Sequence, residues 1–300
     1  MSKPEKIFNL FYSKLLSEKA KRKSETIIIF VAIFSFIFHL LLISLVDLNI
    51  LNFDNNKLLG NPIAAIYTPF SFILIYEVYL LVFYLPKSTS TYIGKQYEII
   101  ALIIIRRVFK DLSELEFTLN WFQEEKDLQF SYDLIATIIL FFLIFVFYRL
   151  SLKKEGEQKS APSLEIARFI KMKNIIAMCL IPIFLVLATF SLSRWVYESF
   201  FSIVQAAGSV TDINKIFFDD FFTILILIDV LLLLFSFLHT DKFSKVIRNS
   251  GFIISTILIK LSFGAEGILN TILIVVAVLF GVIILSIHNQ YEKMTISSNA

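Results

Sequence analysis

Glu77 stands inside the apolar run 70–85, and the next run opens on Lys95 and Glu98 and closes on Arg106 and Arg107. The second half of the chain has a similar arrangement. Asp229 interrupts 221–238, and Arg248 and Lys260 bracket Phe252-Ile-Ile-Ser255-Thr256-Ile-Leu-Ile. Charges spaced this way along apolar helices can stabilise ions or protons at successive levels, because they replace hydration that a moving charge gives up. They can equally close on one another as buried ion pairs that hold helices together. His39 falls on the first apolar run, where an imidazole, whose unperturbed form titrates near neutral pH, serves either proton movement or packing against a neighbouring hydroxyl or carbonyl. The pattern therefore defines a candidate pathway or buried charge network: Glu77, Lys95, Glu98, Arg106, Arg107, His39, Asp229, Arg248 and Lys260.

Elements able to hold such charges must be apolar and long. Of 300 residues 57% are hydrophobic and 33 are Phe, and the mean hydropathy is +0.77. Soluble domains are only about 45–50% apolar, so the composition places the chain in a membrane. Apolar runs fall at 26–46, 63–85, 92–109, 132–150, 174–195, 216–238, 246–263 and 268–287. Six have the roughly 20 residues that a bilayer core of about 30 Å demands. The third and seventh are shortened by Lys95, Arg106, Arg248 and Lys260, so they either cross beside a hydrated, protein-lined interior or enter without crossing. The fold class expected is all-α: a polytopic bundle of about eight spans in two parallel four-helix units.

Flanking charge sets the orientation. Lys3, Lys6, Lys14, Lys19, Lys21, Arg22 and Lys23 precede the first run, and Arg149, Lys153, Lys154, Lys159, Arg168, Lys171 and Lys173 lie around the middle of the chain. Both segments should be cytoplasmic, which requires four crossings between them. Glu114, Glu116, Glu124, Glu125 and Asp127 surround the opposite end of the third and fourth runs and suit the outer side. The organisation expected is a basic amphipathic tail at 1–25, a membrane unit at 26–150, a cytoplasmic linker at 151–173, a second unit at 174–288 and a tail at 289–300. The charged segment of about 25 residues before a long first run argues against a cleaved signal. An even number of crossings per half gives the halves one orientation, as in parallel repeats. The localisation implied is the inner membrane of a bacterial-type cell, with both termini cytoplasmic.

Ile7, Phe8, Phe11, Leu15 and Leu16 recur at helical spacing among lysines, which fits a helix on anionic inner-leaflet lipid or a solvated basic tail. Leu112, Leu115, Leu119 and Phe122 alternate with acids beside Trp121 and predict a helix capping the outer side. Pro182 predicts a kink in the fifth run, while Tyr291, Trp195 and Tyr197 suit interfacial anchors. A homo-oligomer, and a protein partner at the tail and linker, are compatible with this layout; a net charge of +3 gives no reason to invoke nucleic acid.

Catalytic signatures are absent: there is no G-x-S-x-G, H-E-x-x-H, Walker loop or Gly-rich dinucleotide turn. His39, His239 and His288 sit on separate segments, and Cys179 is the single cysteine, so neither a metal cluster nor an internal disulfide is expected. No cofactor and no enzymatic activity are expected. The stretch Glu98-Ile-Ile-Ala-Leu-Ile-Ile-Ile-Arg106-Arg107-Val-Phe-Lys-Asp111, following the Glu77 run, resembles the phosphate-starvation-inducible PsiE-type membrane domain. The resemblance covers about residues 63–150 and implies a small four-helix bundle, with Glu77, Arg106 and Arg107 at its polar positions. A second copy matches loosely through Asp229 and Lys260, with Leu261 where a second base would stand. The functional expectation is a channel- or transporter-like protein whose charges line a hydrated cavity. The alternative is a non-conducting scaffold or signalling subunit whose charges are structural pairs.

Overall fold

The computed structural model describes residues 12–50, 59, 62–114, 125–155, 164–200, 213–237 and 243–298. All their regular structure is helical: α1 (Glu18–Asp47), a 3-10 turn (Pro62–Ile66), α2 (Tyr67–Tyr84), α3 (Thr89–Glu114), α4 (Glu125–Glu155), α5 (Leu164–Phe200), α6 (Ile213–Phe237), α7 (Phe243–Phe263) and α8 (Gly267–Ser298). Each expected apolar run falls within a helix, apart from a few terminal residues. Five helical stretches, Tyr12–Asp47, Asp127–Leu152, Arg168–Arg194, Phe243–Phe263 and Gly267–Met294, are long and apolar enough to cross a membrane. Thr68–Tyr84 and Phe221–Phe237 are shorter apolar helices. These helices are those of an integral membrane protein.

The outward faces argue the same point. On α1, Ala32, Ser35, His39 and Ile43 turn inward at helical spacing, while Phe30 and Phe34 are 69% and 70% exposed. On α4, Asp133, Ala136, Leu140 and Phe147 are buried and Ile138, Phe142 and Phe145 are exposed. Apolar faces this broad would be an aggregation hazard in water and are ordinary against lipid.

α3 carries charged and polar residues along its length and is enclosed by protein. It is one continuous helix of 26 residues, about 39 Å at the usual rise. Between Tyr92 and Arg106 only Leu102 is exposed. A helix enclosed by protein can carry Lys95, Gln96, Glu98 and Arg106, because neighbouring side chains rather than lipid solvate them.

Basic segments extend the spans as helix instead of leaving them as loop. α1 begins at Glu18, with the Ser17 hydroxyl accepting from the Ala20 N–H at 3.1 Å, a standard N-cap. α4 runs to Glu155 and α5 starts at Leu164, so much of the expected linker is helical. Leu16 is buried and the Leu15 carbonyl accepts from the Tyr79 hydroxyl at 2.8 Å, so this part of the tail packs on protein. Ile7, Phe8, Phe11, Leu115, Leu119, Trp121, Phe122 and His239 lie outside the described residues. Pro182 is inside α5.

The chain forms two compact units, each drawing on both halves of the sequence: 1–83 with 105–130 and 176–217, and 84–104 with 131–175 and 218–300. In the first, Ile43, Leu59 and Ala65 form a core cluster with Phe36, Leu40 and Val46 against it, and Phe70 stacks on Phe109 at 5.3 Å. In the second, α7 and α8 form a hairpin closed by Gly264 and Ala265, and Gly267 takes φ 58° as α8 begins. Gly251 lets α8 approach closely: a Cβ there would stand 2.7 Å from Ile284 Cγ2.

Candidate functional site

In the first unit the Arg106 guanidinium donates to Glu77 Oε2 at 2.6 Å, with side-chain exposures of 0% and 3%. α2 presents Glu77 from a face that also buries Leu74, Val78 and Leu81. Both members of the pair are enclosed by packed side chains. His39 is also buried and its Nδ1 meets the Thr68 hydroxyl. Arg107 is half-buried beside this pair on α3.

The second unit holds a longer polar network. The Ser255 hydroxyl donates to the Ala277 carbonyl at 2.7 Å, so the 2.8 Å contact with Tyr97 runs from the phenol to Ser255. The neighbouring Thr256 hydroxyl donates to Gln96 Oε1 at 2.9 Å, and Gln96 Nε2 donates to Asp229 Oδ2 at 3.4 Å. Chain positions 96 and 229 are thereby joined through the side-chain amide. Lys95 pairs with Glu98 at 2.6 Å and sits 5.2 Å from the Tyr84 ring centroid. Glu98 also accepts from the Tyr148 hydroxyl. Buried Asp133 accepts from the Thr271 hydroxyl at 2.7 Å.

A cavity of 540 Å³ opens beside Asp229. Its charged wall is Lys87 in the α2–α3 turn, Lys173 on α5, Asp229 on α6, and Lys245 and Arg248 on α7. Lys173 Nζ donates to the Lys87 carbonyl at 3.3 Å and lies 5.3 Å from the Phe169 ring. Asn249 Oδ1 accepts from Arg248 Nε at 3.2 Å and Nη2 at 3.1 Å. His288 Nδ1 is 2.9 Å from the Ser244 carbonyl, which can only accept, so that nitrogen carries the proton. In the neutral ring Nε2 then accepts from Arg248 Nη1 at 3.3 Å. Glu292 Oε1 stands 3.2 Å from the same nitrogen and gains a donor when the ring is protonated.

The structure thus brings together Glu77 with Arg106, and Lys95 with Glu98, while Asp229 and Arg248 share a cavity wall. Lys260 is half-buried on α7 and is not part of that wall. Sequence reading missed Gln96, Tyr97, Lys173 and His288 as members of the site. Tyr92 and Gln96 are four apart and face the same acid, a helical spacing that could have flagged them. Lys173 reads in sequence only as flanking charge. Among the described residues no three His, Cys, Asp or Glu side chains converge as a metal site. Comparison with known protein families, characterised proteins and solved structures finds no match to this chain.

Proposed function

We propose that this integral membrane protein is channel- or transporter-like, without enzymatic activity, and that the Asp229 cavity receives a charged solute. The observation that carries the reading is one cavity wall bearing a buried carboxylate and a buried ammonium, Asp229 at 7% exposure and Lys173 at 7%. Ionic groups at that depth are costly unless water, a partner or a ligand meets them. Polar links from Asp229 through Gln96 to Thr256 continue away from the cavity and would hydrate a path more readily than an apolar wall. Residues 63–150 are proposed to form a PsiE-like four-helix domain with Glu77, Arg106 and Arg107 at its polar positions.

The scaffold reading has its own observation, the closed Glu77–Arg106 pair. Flux in proteoliposomes, measured beside melting temperature, separates the two. On the transport reading Asp229→Asn changes ion or proton flux while melting stays near wild type. Absence of wild-type flux for every ion tested, with destabilised variants, moves the assignment to a scaffold.

A further inference from the structure

We infer that the Asp229 cavity takes an anionic amphiphile, whose phosphate-bearing headgroup sits among its bases and whose apolar part lies along its wall; this rests on the reading of that cavity as a solute site. Among the described residues, the wall carries four bases, Lys87, Lys173, Lys245 and Arg248, and one carboxylate, Asp229, while Glu292 acts on Arg248 from outside the wall. The excess of positive charge favours an anion. Two helix N-termini add to it: Ser88 and Thr89 open α3, and Lys245 is the third residue of α7. Backbone N–H groups at such ends carry partial positive charge. Ser88 Oγ already caps α3 by accepting from the Thr91 N–H at 3.2 Å.

The donors are held in place before any ligand arrives. Arg248 is braced by Asn249 and His288, and Lys173 by the Lys87 carbonyl. Tyr92 is 3% exposed and lines the cavity, with its hydroxyl facing Asp229 and Gln96. The wall between these groups is apolar, with Ile170, Leu232 and Phe252. At 540 Å³ the space is that of a typical small-molecule site and exceeds the needs of a bare phosphate. Basic pockets between membrane helices are where acidic lipid headgroups bind.

The test is a melting titration of the full-length protein in neutral detergent. The probes are short-chain phosphatidylglycerol, phosphatidylcholine of the same chain length, and inorganic phosphate. The expected result is a saturable rise in melting temperature with phosphatidylglycerol that the other two do not reproduce. Lys173→Gln and, separately, Lys87→Gln raise the half-saturating concentration by about tenfold, the scale of one hydrogen bond to a charged group. Asp229→Asn lowers that concentration, since it removes like charge; a loss of binding there overturns the anion assignment. Inorganic phosphate acting as well as the lipid overturns the amphiphile, as does an equal response to phosphatidylcholine. The underlying cavity reading has a separate readout: Ser236→Cys in a Cys179→Ser background, treated with a membrane-impermeant maleimide. Labelling without any lipid effect leaves an accessible cavity and rejects this ligand. No labelling rejects the cavity itself.

Discussion

Glu77 and Arg106 are 29 residues apart, and the 2.6 Å contact between them buries both side chains. Its energetic asymmetry makes a sharp prediction. Removing one partner takes from the other its counter-charge at 2.6 Å, and breaking a buried pair in this way costs about 3–5 kcal/mol. Glu77→Gln should therefore lower the melting temperature of the purified protein markedly. Glu77→Gln combined with Arg106→Met should recover much of that loss, because neither charge is left stranded. A double variant as unstable as the single would mean that the pair's surroundings, and not its charges, need Glu77. Asp229, which the sequence reading set beside Glu77, accepts instead from the amide of Gln96 and looks onto a cavity.

At the scale of elements, α3 is the organising helix of both polar groups. It supplies Arg106 to one unit and Gln96, Tyr97 and Glu98 to the other, and few of its side chains reach the outside. In the second unit its approach to α8 depends on Gly281. A Cβ at that position would overlap the Tyr97 hydroxyl, and it would lie 2.7 Å from the ring carbon that carries it. Gly281→Ala is expected to push Tyr97 from Ser255 and cost about 1–3 kcal/mol, the usual range for overpacking. That outweighs the gain of up to about 1 kcal/mol in helix propensity. Adding Tyr97→Phe removes the worst overlap and should restore part of the melting temperature. If Gly281→Ala melts at or above wild type, the contact has slack that the geometry does not suggest.

The whole molecule is defined by what its surface faces. Five long apolar helices, two shorter ones and the protein-enclosed α3 account for all eight expected runs. We expect every one to cross, with both termini cytoplasmic, because two basic segments flank an even number of runs. A reporter fused after Ser160 should then be active only on the cytoplasmic side; activity outside would overturn the four-per-half topology. On that topology the α2–α3 turn, the C-terminal end of α6 and the start of α7 lie toward the cytoplasm. The basic cavity would then open on the leaflet where acidic lipid attracts Lys and Arg.

Helix existence was legible in the sequence, since apolar length alone determines it in lipid: every backbone group must bond within its own segment. Runs such as 26–46 and 132–150 needed no partner to be recognised. The charges in 92–109 could be seen, but not their consequence. Whether Lys95 and Arg106 mark a path, a pair or a segment that stays out depends on which side chains surround α3. Those lie far along the chain: Tyr148 for Glu98, Ser255 for Tyr97, Asp229 for Gln96. Spacing within a helix tells which residues share a face, but not what that face meets. Lys173 shows the limit most clearly. In the sequence it is one of several flanking bases, and only packing of α5 beside the α2–α3 turn buries it on a cavity wall. The cost of desolvating a charge is set by its three-dimensional neighbours, so the tertiary structure alone decided which of the many charges became a site.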